Sequence, residues 1–130
     1  IIQNMDEWNT RHHSDSGLLD LIRSRGVHEK YAEDKVIEAI SPYINPGVSP
    51  LCGNSIWQDR RFLEKYMPKL NKVFHYRNVD VSSIKELVRR WSPEIAKDLK
   101  KIGAHRALED IKELIIELRY YRDNCFKSDL

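Results

Sequence analysis

The sequence predicts an α/β protein that is mostly helical, with two short strands and with the first strands of its sheet missing. Three observations predict it. Apolar residues recur at helical spacing through most of the 130 residues. Two short stretches, 50–54 and 75–81, read instead as buried strands. The resulting order is helix, strand, helix, strand and then helices alone, which suits a sheet protein that has lost its opening strands.

Taken in order, residues 5–13 read as a short helix and 16–25 as another, whose Leu18, Leu19 and Ile22 share a face. A longer helix follows over 28–44, where Ala32, Val36, Ile37, Ile40 and Ile44 form one stripe. Asn45-Pro46-Gly47-Val48-Ser49-Pro50 is the strongest break in the chain. It is short and closely flanked by apolar segments, so it reads as a connection inside one domain spanning 1–130. After the first strand, 58–74 is read as a single helix buried through Phe62, Tyr66, Met67, Leu70 and Val73. After the second strand, Ser83 with Glu86 three residues on reads as a capping box. Ile84, Leu87, Val88 and Trp91 then fall at i, i+3, i+4 and i+7. Ser92-Pro93 ends that helix and opens another over 93–101. Gly103-Ala104-His105 makes a turn, and a last helix over 106–124 is expected to bury Leu108, Ile111, Ile115 and Leu118.

Hydrophobic residues at 41% and charged residues at 32% are those of a soluble domain with one core. No apolar run approaches the roughly 18–20 residues that cross a bilayer, so no membrane partner is expected. Ile1-Ile2-Gln3-Asn4-Met5-Asp6 is not a secretory signal, having no basic start and no long apolar stretch. It also lacks an initiator methionine and enters patterned sequence at once; the chain is expected to be a fragment. Cys52 and Cys125 are read as two free thiols in a reducing cytoplasm. The net charge of +2 hides an asymmetry. Residues 59–101 hold twelve Lys/Arg against six Asp/Glu, so that stretch carries +6 and the remainder −4. A basic excess suits a polyanion, and it equally suits a solvated helix face.

Three residues stand out for chemistry. Asp59 precedes Phe62 and Leu63 by three and four positions, which turns it toward the expected buried stripe of its helix. A carboxylate there also simply complements the helix dipole. Asp110 lies on the flank of the last helix's stripe, where a solvated edge carboxylate is the plainer reading. His105 follows a glycine turn, and an imidazole with a pKa near 6.5 exchanges protons at neutral pH; it equally suits surface decoration.

Together these residues fall inside recognisable motifs. Gly53-Asn54-Ser55-Ile56-Trp57-Gln58-Asp59-Arg60-Arg61-Phe62 resembles the third exonuclease motif of oligoribonucleases. Gly103-Ala104-His105-Arg106-Ala107-Leu108-Glu109-Asp110-Ile111 resembles their last motif, with His and Asp five residues apart. Met5-Asp6-Glu7-Trp8-Asn9, Phe74-His75-Tyr76-Arg77, and Asp80-Val81-Ser82 with Lys85-Glu86-Leu87 match the same family. The resemblance runs through the whole chain in order.

That resemblance implies an exonuclease with four acidic residues and a histidine on a ribonuclease H-like fold. Asp59 and Asp110 would supply two metal-holding carboxylates, for Mg²⁺ or Mn²⁺, two ions in the full-length parent. His105 would be the general base. The family's first motif, an Asp and a Glu two residues apart, is absent from these 130 residues. The resemblance therefore implies an enzyme whose fragment, as given, is inactive. It further implies base stacking by Trp8, with His13 facing the substrate, and a 5′-phosphate cap from Ser55, Arg77, Ser82 and Lys85. Ser82 and Lys85 fall near a helix N-terminus, which favours anions, although Ser82 and Ser83 also suit ordinary capping. Tyr76, flanked by His75 and Arg77, would reach the neighbouring protomer's site in a homodimer. Arg60 and Arg61 are read as dimer or RNA contacts, and Trp57 and Trp91 as core or interface. The implied activity is 3′-to-5′ hydrolysis of very short single-stranded RNA. A non-catalytic RNA-binding or dimerisation fragment and a DNA-directed exonuclease of the same superfamily are the alternatives.

Overall fold

A computed structural model describes residues 4–98 and 107–126. The elements run α1 (Glu7–Asp15), α2 (Leu18–Arg25), α3 (Glu29–Ile40), β1 (Pro50–Gly53), α4 (Ile56–Tyr66), α5 (Pro68–Val73), β2 (His75–Asp80), α6 (Val81–Trp91), α7 (Pro93–Asp98) and α8 (Ala107–Cys125). The fold is mostly helical, with two short parallel strands. β1 and β2 pair in parallel, Leu51 opposite Asn78, Cys52 opposite Val79 and Gly53 opposite Asp80, with an irregularity between Pro50 and Leu51. Helices α4 and α5 form the crossover that parallel strands require. Among the described residues no helix is long and apolar enough to cross a membrane.

Local chemistry sets most boundaries. The Asp6 carboxylate caps α1, accepting from the Asn9 amide at 2.8 Å and from its side chain at 2.9 Å. Those bonds hold the Asp6 carboxyl below its ordinary value. The expected helix over 58–74 is two helices. Met67 leaves the helical conformation and Pro68 takes the first position of α5, where its missing N–H costs nothing. The expected Ser83 capping box is also replaced. Asp80 caps α6 by accepting from the Ser82 amide at 3.0 Å. Glu86 instead engages Arg89 and Arg90, the latter holding its carboxyl below the usual range.

The core lies where α6, α7 and α8 meet. Val81, Val88 and Tyr121 are buried there, with Ile84, Ile95, Leu114 and Leu118 packed around them. The stripe on α8 is rotated from the expected one. Leu114, Glu117, Leu118 and Tyr121 face inward or partly so, while Leu108, Ile111 and Ile115 are exposed. Phe62 on α4 is exposed, against its expected burial; Trp57 on α4 and Trp91 on α6 are exposed too, which removes the core reading of the two tryptophans and leaves the interface one.

Helix α3 buries a charge the apolar pattern did not reveal. Glu33 is 4% exposed, and its Oε1 accepts the amides of Lys69 at 2.7 Å and Leu70 at 3.0 Å. A carboxylate from α3 thus satisfies the first free N–H groups of α5, which no side chain of α5 itself reaches. Glu33→Ala removes two charge-assisted bonds and is expected to cost about 2–3 kcal/mol, measured as a lower urea midpoint at unchanged slope.

Candidate active site

A cleft of about 660 Å³ opens beyond the carboxyl end of β1, where α/β sheets generally receive ligands. Cys52 and Gly53 line it from the strand, Asn54 from the turn after it, Ile56 and Asp59 from α4, and Ala107, Asp110, Ile111, Glu113 and Leu114 from α8. Asp59 and Asp110 each stand in the first turn of their helix, and the fold brings them into this one cavity from distant parts of the sequence. Amide dipoles at both helix starts favour the negative charge. Both side chains are exposed to the cleft's open face, not turned into a buried stripe as expected for Asp59. Gly53 sets the floor: a side-chain carbon added there would meet Ile56 Cδ1 at 2.5 Å. Burial, reinforced by the Asp80 carboxylate, pushes the Cys52 thiol up, so it stays protonated at neutral pH. Both cysteines are free thiols.

Carboxylate oxygens are hard donors suited to Mg²⁺ or Mn²⁺. Asp59 and Asp110 fit one side of a two-ion site in donor type, but not in number. Among the described residues no group of three or more His, Cys, Asp or Glu stands close enough to hold a metal ion. His105 lies outside the described residues.

A second crevice, about 510 Å³, is lined by Ser55, Trp57, Asp80, Ser82, Ser83, Glu86, Leu87 and Arg90. Here the turn after β1 meets the start of α6. The Ser55 amide donates to Asp80 Oδ1 and to Ser82 Oγ, each at 3.0 Å, and the two serine hydroxyls are 3.4 Å apart. Ser55 adopts φ 49°, a left-handed conformation unusual for a side chain. The Ser82 amide, expected to be offered to an external anion, is held by Asp80. As a cap Asp80 was not singled out from the sequence, where it entered only in the family resemblance with Val81 and Ser82, although an Asp ahead of an apolar helical pattern is a cap signal.

The remaining candidates stand outside both lining sets. Lys85 Nζ lies 3.3 Å from Glu117 Oε1 on α8. Arg77 lies over the ring of Tyr76, 5.4 Å from its centroid, and Tyr76 tilts against His75 at 4.3 Å. Tyr76 is 73% exposed. Trp8, 71% exposed, stacks nearly parallel on His12 at 5.1 Å, so one indole face is covered and the other is open. His13 is half-buried in a hollow of about 430 Å³ with Asp6, Asn9 and Ile22.

Arg60 proves structural. Its guanidinium donates to Asn78 Oδ1 at 2.8 Å, the His75 carbonyl at 2.8 Å and Asn71 Oδ1 at 3.3 Å, tying α4 to β2 and α5. Arg61 is exposed, beside Trp57 at 6.0 Å and Gln58 at 3.0 Å.

The family model described as exonuclease matches residues 2–118. An oligoribonuclease of Shewanella loihica is 55% identical over 98% of this chain and 70% of its own length. One from Marinobacter nauticus is 54% identical over 98% of this chain and 71% of its own. Two carboxylates in one cleft, a family model that matches most of the chain, and relatives of a single name more than half identical over nearly all of it lead to one assignment: the chain belongs to the exonuclease family, among the oligoribonucleases.

Proposed function

We propose that the protein hydrolyses very short single-stranded RNA, dinucleotides and slightly longer, from the 3′ end to 5′-mononucleotides. The observation that carries this reading is the convergence of Asp59 and Asp110 on one cleft at the carboxyl end of β1. Two Mg²⁺ or Mn²⁺ ions, when bound, would stabilise the attacking and leaving oxygens of the phosphodiester. This chain's part is to present Asp59 and Asp110 to them and, at His105, to take the proton from the attacking water. The four-carboxylate pattern of the resemblance exceeds what these residues supply, so the 130-residue chain by itself does not turn over.

Recognition follows from the periphery. The open face of Trp8 stacks on a base, as any base offers a π-face, with His13 nearby. The Ser55 and Ser82 hydroxyls, with Arg77, close on the 5′ phosphate, and such a wall favours RNA only a few nucleotides long. Lys85 belongs to that cap by resemblance, yet Glu117 holds its ammonium. Tyr76, exposed and away from this chain's own cleft, serves the neighbouring protomer's site in a homodimer. The setting is the cytoplasm, as free thiols suggest.

The test compares the 130-residue chain with one extended to the full length of its relatives, each given Mn²⁺ and a 5′-phosphorylated diribonucleotide. Release of mononucleotides by the extended chain alone is the expected result. Dinucleotide binding without release at either length would make the protein a binding module. Faster attack on long DNA ends would make it a DNA-directed exonuclease.

A further inference from the structure

Two serines stand at helix starts, and neither caps its own helix. Ser55 occupies the N-cap position of α4, where a serine hydroxyl ordinarily accepts an amide of the first turn. Here it makes no such bond. Its backbone is left-handed at φ 49°, and its hydroxyl lies 3.4 Å from that of Ser82 on α6. Ser82 has no capping to do either, because Asp80 takes the N-cap of α6 and accepts the Ser82 amide.

Asp80 also accounts for the turn at Ser55. It is the last residue of β2 and stands opposite Gly53, the last of β1. From the strand end a single oxygen, Oδ1, accepts the Ser55 amide and the Ser82 amide, each at 3.0 Å. The Ser55 amide is shared with Ser82 Oγ, also at 3.0 Å. Ser82 Oγ therefore accepts from the backbone and keeps its proton for Asn54 Oδ1 at 3.4 Å, for Ser55 or for a ligand. Helix-start amides are ordinary phosphate donors, but these two already have a carboxylate acceptor. The crevice thus offers an anion hydroxyls in place of backbone N–H groups.

We infer that Asp80 is a positioning residue: one carboxylate oxygen holds the Ser55 and Ser82 amides together and so sets both hydroxyls to receive a 5′ phosphate. It touches backbone, not substrate. The inference deepens the proposed function and rests on reading these two serines as the 5′-phosphate cap. Asp80→Asn keeps an acceptor oxygen at the same reach. Asp80→Ser keeps a good cap for α6 but falls one bond short of the Ser55 amide. The two variants separate tethering from capping. Asp59 lies one turn beyond Ser55, about 6 Å along the axis of α4. A general loosening of α4 would reach Asp59 and lower kcat on every substrate, whereas displaced hydroxyls raise KM only where a 5′ phosphate is present.

The experiment uses the chain extended to its relatives' length, with Mn²⁺ and a diribonucleotide carrying either a 5′ phosphate or a 5′ hydroxyl. Asp80→Ser is expected to raise KM for the phosphorylated form about tenfold, the scale of one hydrogen bond to a charged group. Its kcat, and both constants for the hydroxyl form, should stay within about twofold of the unsubstituted chain. Asp80→Asn should match the unsubstituted chain on both substrates. Hydrogen exchange of the Ser55 amide, read by NMR, is the second measure. It should be slow in the unsubstituted chain and in Asp80→Asn although the residue is exposed, and about tenfold faster in Asp80→Ser. An unchanged KM in Asp80→Ser, a KM that rises alike for both forms, a fall in kcat, or an Asp80→Asn variant as impaired as Asp80→Ser would each overturn the positioning role. Rapid exchange at Ser55 in the unsubstituted chain would overturn the tether with no substitution at all. Ser82→Ala tests the cap itself. If it takes the phosphorylated dinucleotide as tightly as the unsubstituted chain, the cap reading fails, while exchange at Ser55 still decides the tether.

Discussion

Asp59→Ala and Asp110→Ala, each made in a chain extended to its relatives' length, should lower diribonucleotide turnover by roughly 10³-fold with the fold intact. The size follows from what a divalent ion contributes, several kcal/mol of charge stabilisation at the transition state, at 1.36 kcal/mol per factor of ten. Both carboxylates are exposed on the wall of the cleft, so neither substitution creates a cavity or strands a buried partner. Activity should therefore fall without a matching fall in the urea midpoint. The two losses should not add, because ligands to one cluster act as a unit. A double variant no slower than either single one is the expected assay result. Turnover within tenfold of the unsubstituted enzyme for either single variant would remove that residue from the site.

Arg60→Met is the second large effect, and it falls on stability. The guanidinium makes three hydrogen bonds, two of them to partners on β2 and one to α5. Methionine keeps much of the aliphatic stem and none of the donors. The His75 carbonyl and the Asn71 and Asn78 side chains would each lose a charged donor, worth about 1.5–3 kcal/mol apiece where water cannot replace it. Partial exposure lowers the total, which we place at about 3 kcal/mol. Chemical denaturation followed by circular dichroism measures it. Arg60→Lys should recover only part of the loss, since an ammonium cannot reproduce the fork that spans three acceptors. An RNA-contact role would instead leave stability unchanged and weaken oligonucleotide binding.

The sequence was most legible where local chemistry decides the outcome. Both strands and nearly every helix follow from periodicity and from breaks such as Asn45-Pro46-Gly47 and Ser92-Pro93. The pairing of Asp59 with Asp110 came through motif resemblance, since neither position is unusual by spacing alone. What escaped were buried charges whose partners lie far along the chain. Glu33 is drawn inward by the amides of Lys69 and Leu70, and Glu117 by Lys85. An apolar-stripe argument sends such carboxylates to the surface, and on α8 it chose Leu108, Ile111 and Ile115 for the core. Asp80 was missed for a related reason. Ser83 and Glu86 offered a ready capping box, but Asp80 reaches the helix start from the end of a strand, where β2 hands over directly to α6.

The left-handed backbone at Ser55 has an evolutionary corollary. Glycine would occupy that conformation with less strain, by roughly 1–2 kcal/mol, and a population drifting under folding pressure alone would move toward it. Persistence of serine there among sequences of this lineage would record selection on the hydroxyl that faces Ser82. A tally of glycine against serine at this one turn would thus separate fitness for folding from fitness for ligand capture.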